Sequence, residues 1–488
     1  GPGQSAAGST GAGRTLAPQA AATAQARAQA AAGLTPRGAR SIFARLEPTD
    51  TSGMSAPVVA IAELVRHEGR TVAVRGWLTH KRSSGKIAFL IVRDGSGVVQ
   101  AVAARGEVSE PVWALYDELH TETSLELVGT VRADPRAPGG VEIALRDLRI
   151  VGRSSPDYPI QPKEHGIDFL LYHRHLWLRS PRQAAILRVR DEVVKAIRDF
   201  LYDGGFVLVD SPILTGAIGE AAAGGLFETE YFDLGKAYLA QTGQLYVEAA
   251  AAALGRVYCF GPTFRAEKSK TRRHLVEFWM CEPEMAWTTS EESMRIQEEL
   301  VSYVVQRTVE RRAKELATLE RDVERLRRVE PPFPRITYDE AVERLRAKGS
   351  KIAWGQDLGN EDETLITEGL DRPVFILNYP KRAKAFYMKE NPENPETVLC
   401  NDCIAPDGYG EIIGGSQRED DLEKLVARIR AEGLPLRPYE WYLDLRRYGT
   451  FPHSGFGLGL ERVVAWICGL PHVREAIPFP RLLNRIYP

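Results

Sequence analysis

Phe264-Arg265-Ala266-Glu267, then the polar residues 268–273, then His274-Leu275-Val276-Glu277-Phe278-Trp279 form the stretch on which the reading of this chain turns. Apolar runs flank a cationic loop, which predicts two long antiparallel strands with Arg265 at the mouth of their connection and Arg272, Arg273 and His274 on the return. Such a loop can neutralise several phosphate oxygens of one nucleotide, because a guanidinium is a planar, permanently charged fork of donors. The bland alternative is a basic surface loop. A second stretch, Gly455-Phe456-Gly457-Leu458-Gly459-Leu460-Glu461-Arg462, sets glycine at alternate positions and then an arginine at the opening of an apolar helix (Val463, Val464, Ile467). Missing side chains at every second position let backbone lie close under a flat ligand, with Arg462 aimed at it.

Outward from these stretches, residues 181–488 read as one large domain. Ile186, Val189, Val193, Ile197, Phe200 and Leu201 fall at helical spacing, and Gly204-Gly205 stops that helix before an apolar strand at 206–209, which leads to Ser211-Pro212. Residues 291–328 are a charged stretch with an apolar stripe (Ile296, Leu300, Val304, Val309), predicting a solvated helix or hairpin within a helical insertion around 290–370. Residues 156–180 hold no sustained period and read as a hinge. Before it, residues 54–155 carry β-rich runs at 71–77, 87–94, 97–102, 124–131 and 141–150, separated by turn residues such as Asp94-Gly95-Ser96-Gly97. Five short strands in roughly 90 residues suit a small closed barrel of the OB type, a β fold that commonly receives single-stranded nucleic acid. Residues 1–53 are expected to be a disordered tail or tag-like extension with Met54 as a natural start, since residues 1–33 hold 13 Ala and 6 Gly and no acidic residue. Their Arg-bearing, acid-poor character also fits an organellar transit peptide.

Composition excludes other classes. The 488 residues are 44% apolar and 26% charged, ordinary for a globular chain of two or three domains. No stretch of about 18 apolar residues exists, so no membrane partner is expected. A net charge of −2 means that any RNA contact must come from local patches. Five cysteines argue for a reducing, cytoplasmic compartment, and the pair Cys400-Asn-Asp-Cys403 without a second pair is a weak zinc signal, better read as two thiols.

Taken together, these residues resemble class II aminoacyl-tRNA synthetases of the aspartate, asparagine and lysine subgroup. Residues 264–278 are similar to the family's second motif, residues 457–462 to its third, and the helix and strand ending at Pro212 to its dimer-forming first; the resemblance runs from about residue 59 to the C-terminus. It implies an α+β chain: an N-terminal five-stranded OB-type β-barrel that binds the anticodon, then a catalytic antiparallel sheet flanked by helices, in a homodimer. It also implies roles. Arg265 would meet the ATP α-phosphate, Glu267 the adenine amino group, Arg273 and His274 the pyrophosphate, and Phe278 and Arg462 would sandwich the purine, with Arg265 and Arg462 as the catalytic cations. Asp402 and Glu411, within a stretch at 401–418 like the family's magnesium site, would hold Mg²⁺ against the phosphates.

The choice of amino acid rests on Gln241-Thr242-Gly243-Gln244-Leu245-Tyr246-Val247. Aspartate enzymes carry Lys where Val247 stands, and a buried substrate carboxylate without a cation is costly, so the resemblance favours L-asparagine, with tRNA(Asn) as acceptor. It implies that Glu277 and Arg418 read the side-chain amide and that Glu220 and Gln244 bind the α-ammonium. In the barrel, Phe89 and Gln100 match an aromatic and an amide that stack on and hydrogen-bond the central anticodon base, against the reading of Phe89 as barrel core. The rival readings are an aspartate-specific enzyme, an asparagine-forming paralogue lacking the barrel, and a decayed, RNA-binding relative; intact Arg265, Glu267, Glu411 and Arg462 oppose the last.

Overall fold

A computed structural model describes residues 56–216 and 225–488; the predicted tail and Glu220 lie outside the described residues. The chain divides into two compact units, one up to Pro159 and one from Ile160.

In the first unit the strands are rich in apolar residues, and on β2 and β3 every second side chain is buried, so that each strand turns one face to the core. β1 (Thr71–Ser84), β2 (Ile87–Arg93), β3 (Val98–Ala104), β4 (Ser124–Ala133) and β5 (Val141–Gly152) close into a barrel in the order β1-β2-β3-β5-β4, as the sequence predicted. β2 buries Ala88, Leu90 and Val92, and β3 buries Val99, Ala101 and Ala103, against Leu78, Leu125, Leu127 and Ile143. The connection from β3 to β4 carries a helix that the sequence reading missed, α1 (Glu110–Glu118), started by Ser109, whose hydroxyl accepts from the Val112 N–H.

The second unit is built on an eight-stranded sheet. β6 (Val207–Leu208), β10 (Arg256–Phe264), β11 (Glu277–Ala286), β12 (Arg335–Thr337), β13 (Val374–Leu377), β14 (Cys400–Ala405), β15 (Gly410–Gln417) and β16 (His453–Gly459) follow the order β12-β13-β14-β15-β16-β11-β10-β6, while β7 (Leu214–Thr215), β8 (Glu228–Glu230) and β9 (Lys236–Leu239) make a small separate sheet. Antiparallel pairs run from β13 to β10; only the outermost pairs are parallel. The sheet packs its core against α2 (Pro181–Asp203), α4 (Ser290–Arg311) and α7 (Leu460–Cys468) through Ile186, Val193, Val304, Cys281, Leu458 and Val464. Thr289 and Glu292 cap α4 reciprocally, which sets its start.

The stretch read as a hinge contains two short helices, Ile167–Tyr172 and Arg174–Trp177. Arg174 is buried and ties it to the second unit, its Nε donating to the Pro478 carbonyl at 2.7 Å and its Nη2 to that of Ile477 at 2.9 Å. Burial pulls the Arg174 pKa down to about 10. Cys400 and Cys403, three apart on β14, enter different cores, so they do not form a joint metal site, and the described residues hold no cluster of three or more His, Cys, Asp or Glu suited to a metal. No helix among the described residues is long and apolar enough to cross a membrane.

Candidate active site

The predicted pair of long strands is β10 and β11, in register from Arg256 opposite Met285 to Phe264 opposite Glu277. Along a strand side chains alternate between faces. On β11, Cys281 and Met285 enter the helix-backed core, whereas Phe278, Met280, Glu282 and Glu284 line a cleft on the other side. That cleft has two halves, of about 340 Å³ and about 560 Å³, which share Arg265, Met280, Glu411 and Gly457. Arg265 thus stands at the waist between them.

The smaller half is lined by Glu267, Arg273, His274, Phe278, Glu411 and Arg462, together with Arg474 from the C-terminal segment. The Arg265 guanidinium lies over the Phe278 ring, 5.5 Å from its centroid. Arg462 opens α7 as predicted, donates to the Glu411 carbonyl at 2.6 Å and stands 3.8 Å from the Glu411 carboxylate. His274 reports the local field: burial, then Arg462, Arg265 and Arg273, push its pKa down to about 4, so it is neutral at physiological pH. Its Nδ1 contacts the hydroxyls of Ser269, at 3.2 Å, and Thr271.

Arg273 is placed differently from the expectation that it faces pyrophosphate. Its Nε donates to the Gly408 carbonyl at 2.8 Å, its Nη1 to Asn360 Oδ1 at 3.2 Å and to the Glu363 carboxylate, and its Nη2 to the Asn360 carbonyl at 3.1 Å and Thr364 Oγ1 at 2.7 Å. All five N–H groups are therefore spent on α5 (Asn360–Ile366) and the β14–β15 turn. Arg272 joins it on the Gly408 carbonyl at 3.0 Å, so the cationic loop is pinned at its return.

The larger half is lined by Thr242, Gln244, Glu282, Glu284, Lys384, Tyr387, Asp402 and Arg418, with Glu411 at the waist. Gln244, Arg418, Asp402 and Glu411 were expected here. Glu277 is not here: as the first, odd residue of β11 it lies on the opposite face from Glu282 and Glu284, with its backbone bridged to Arg481. The expected pair of Glu277 and Arg418 is corrected accordingly. Arg418 is paired with Glu284, Nη2 to Oε2 at 2.9 Å and Nε to Oε1 at 3.1 Å, both side chains buried. Burial works against the Arg418 charge and Glu284 more than offsets it, raising the guanidinium pKa. Strand parity counted from Phe278 would have found Glu282 and Glu284; the linear motif alone did not.

The alternate glycines have a second use that the sequence did not reveal. A Cβ at Gly455 would stand 2.0 Å from Glu284 Oε2, and one at Gly457 would stand 2.4 Å from Met280 Cε. β16 is therefore stripped of side chains to admit those of β11. Val247 does not reach the cleft; it packs with Ala251, Val257 and Cys259 behind it. Glu282 is held by the Gly243 N–H at 2.8 Å and by the Thr242 hydroxyl.

Asp402 and Glu411 both border Gly414, where a Cβ would lie 3.7 Å from Asp402 Oδ1 and 2.6 Å from Glu411 Oε1. Burial pushes the Asp402 carboxyl up to about 7, with the Lys384 ammonium at 2.7 Å opposing the rise and Glu411 adding to it. Two neighbouring hard carboxylates, whose repulsion a dication would relieve, are the donor type that suits Mg²⁺.

In the barrel, Phe89 faces outward, opposite Val102 and across from Arg82, whose guanidinium lies 4.4 Å from the ring centroid. Gln100, opposite Ile91, is its diagonal neighbour on the same outer face. The two predicted residues share one platform, and the reading of Phe89 as barrel core is excluded.

Known proteins bear on both units. Residues 166–483 match the family tRNA synthetases class II (D, K and N), and residues 72–151 match the OB-fold nucleic acid binding domain. The chain is 56% identical over 438 residues to the asparagine–tRNA ligase of Chloroflexus aurantiacus, covering 88% of this chain and 99% of that protein. It is also similar to the crystal structure of asparaginyl-tRNA synthetase from Pyrococcus horikoshii complexed with asparaginyl-adenylate, with a TM-score of 0.86 and 48% identity, covering 89% of this chain and 100% of that one. A putative aspartyl-tRNA synthetase from Leishmania major is more distant, at 28% identity and a TM-score of 0.79, covering 90% of this chain and 96% of that one. The expectation from the sequence is borne out: the chain belongs to the class II tRNA synthetases of the aspartate, lysine and asparagine group, among the asparagine–tRNA ligases.

Proposed function

We propose that this chain activates L-asparagine with ATP at the waist of the cleft and passes the asparaginyl group to the 3′-terminal adenosine of tRNA(Asn). The carrying observation is that Arg265 borders both halves, where an amino-acid carboxylate from one side meets an α-phosphate from the other. In-line attack gives asparaginyl-adenylate and pyrophosphate without a covalent enzyme intermediate, so catalysis rests on positioning and on stabilising charge that develops at the α-phosphate. Arg265 meets that charge. Phe278 and Arg462 hold the purine, Glu267 its amino group, and His274, neutral, donates to the departing phosphates. Arg273 positions the loop by its grip on α5. Mg²⁺ held by Asp402 and Glu411 would supply neutralising charge to the phosphates.

In the larger half, Arg418 donates to the side-chain carbonyl of asparagine and the carboxylates of Glu282 and Glu284 are the acceptors available to its NH₂ and to the α-ammonium, which Gln244 also meets. Arg418 is already neutralised by Glu284, so it offers no unmatched charge to the carboxylate of aspartate. Phe89 and Gln100 read the anticodon. A homodimer is supported by β6, the edge strand of the sheet, which leaves Val207 and Leu208 exposed beside Tyr202, 78% exposed. Five buried free cysteines support a reducing, cytoplasmic setting. Amino-acid-dependent ATP–pyrophosphate exchange, run in parallel with asparagine and aspartate, tests the reading: exchange with asparagine alone is expected, and exchange driven equally by aspartate would overturn it.

A further inference from the structure

Behind the larger half lies a buried carboxylate that the reaction itself does not use. Glu248, on α3 (Gln244–Leu254), has a fully buried side chain and accepts from four donors on three elements. Gln244 Nε2 lies 3.1 Å from its Oε1, the Tyr442 hydroxyl 2.7 Å from the same oxygen, and Arg446 Nη2 and His453 Nε2 lie 2.9 and 3.0 Å from its Oε2. Tyr442 and Arg446 come from α6 (Glu440–Arg447), and His453 from the start of β16. Burial raises the cost of ionising Glu248, but Arg446 and His453 reverse the balance and hold the carboxyl well below its ordinary range. An ionised carboxylate only accepts hydrogen bonds.

This dictates the orientation of one amide in the cleft. Gln244 sits one helical turn before Glu248 and lines the cleft, and it must turn its NH₂ inward to the carboxylate. Its carbonyl Oε1 is left for the cleft, and among the described residues it accepts no hydrogen bond. A free glutamine would present NH₂ or oxygen with little preference, and an NH₂ aimed at an ammonium is repulsive.

We propose that Glu248 is a positioning residue that locks the Gln244 amide with its oxygen toward the cleft, so that the α-ammonium of the amino acid meets a fixed acceptor. Tyr442, Arg446 and His453 keep Glu248 ionised and aligned for that purpose. The proposal rests on the reading of Gln244 as an α-ammonium contact, and the test separates the two.

The measurement is ATP–pyrophosphate exchange on the full chain, with KM for asparagine and for ATP determined separately and melting temperature recorded for each variant. Gln244→Ala and Glu248→Gln are each expected to raise KM for asparagine by roughly 10- to 100-fold, with KM for ATP within about twofold, as for a hydrogen bond to a charged group lost from a buried site. In Glu248→Gln the new NH₂ faces that of Gln244 and forces the amide to turn. The double variant Gln244→Glu/Glu248→Gln restores an acceptor toward the cleft and a donor behind it, and is expected to recover KM for asparagine to within about fivefold of wild type. A purely structural role for Glu248 is not rescued by a change at residue 244. Gln244→Glu alone should bind asparagine no better than Gln244→Ala, because Glu248 repels the new carboxylate; this arm stands even where Glu248→Gln fails to fold. An unchanged KM in Gln244→Ala sinks the reading of Gln244. A raised KM there beside an unchanged KM in Glu248→Gln, a double variant no better than Glu248→Gln, or a Gln244→Glu variant that binds asparagine more tightly than wild type sinks the role of Glu248.

Discussion

Around the smaller half of the cleft, burial and then Arg462, Arg265 and Arg273 bring the His274 pKa down to about 4; at and behind the larger half, Arg418 and Arg446 are each already matched by a buried carboxylate, Glu284 and Glu248. The first half carries a positive field whose counter-charge the ligand must bring, which is what a triphosphate does. In the second half Arg418 is matched before any ligand arrives. An anionic side chain placed beside Arg418 finds that cation already matched and forfeits its hydration, whereas a neutral amide finds donors and acceptors in place. Charge balance and not shape is thus the feature that separates asparagine from aspartate in the proposed mechanism.

The comparison breaks most sharply at Glu284. Glu284→Ala leaves Arg418 charged, buried and without its partner, and is expected to destabilise the second unit by about 3 to 5 kcal/mol in chemical denaturation, while any folded fraction discriminates less against aspartate. Wild-type stability together with wild-type discrimination would mean that the balance of the larger half has no consequence. Next in size is Arg265→Ala, which should cut pyrophosphate exchange by roughly 10²- to 10³-fold without a change in melting, since the residue answers charge present only in the transition state. Exchange within a few-fold of wild type would remove Arg265 from the reaction.

Phe89→Ala provides the control from the other unit. Losing a stacking platform should raise KM for tRNA by roughly 5- to 150-fold and leave exchange with asparagine untouched. The ring lies on the outer face of the barrel, so the melting temperature should hold; an early-melting variant whose charging recovers in the cold would return Phe89 to a structural role.

A smaller effect comes from pH. His274 and His472, both lining the smaller half, have folded pKa values of about 4 against an ordinary 6.5, in each case through burial first, and second through Arg462, Arg265 and Arg273 for His274 and through Arg474 for His472. The unfolded chain therefore binds protons that the folded chain refuses. Stability is full above pH 6.5, falls as the pH drops through the window from 6.5 to 4, and loses nothing further from these two groups below it. Urea midpoints at pH 7 and pH 5 measure this, and replacing His274 with asparagine should flatten part of the slope. The smallest expected effect is at Glu277: with its side chain on the far face of β11, Glu277→Gln should leave KM for asparagine and the preference over aspartate within about twofold of wild type. A larger change would put Glu277 back in the recognition of the amide.

Much of this was legible in the residues alone. Five short β-rich runs separated by turn residues pointed to a barrel; apolar runs on either side of residues 268–273 pointed to the β10–β11 pair; and Arg265, Glu267, His274, Phe278, Glu411 and Arg462, singled out from the motifs, do line one half of the cleft together. Tertiary structure alone decided three matters. It showed which carboxylate faces Arg418, since Glu277 and Glu284 differ by strand parity and by the room that Gly455 leaves, neither of which a linear motif displays. It turned Arg273 from a phosphate ligand into a brace, because α5, which takes up several of its donors, lies 87 residues away along the chain at Asn360. And it brought Glu248, Arg446 and His453, spread over 205 residues, onto one buried oxygen pair, where the cost of leaving any of them unmatched in a low-dielectric interior fixes their arrangement. Chemistry carried by residue type is visible in one dimension; charge compensation between distant residues exists only once the chain has folded.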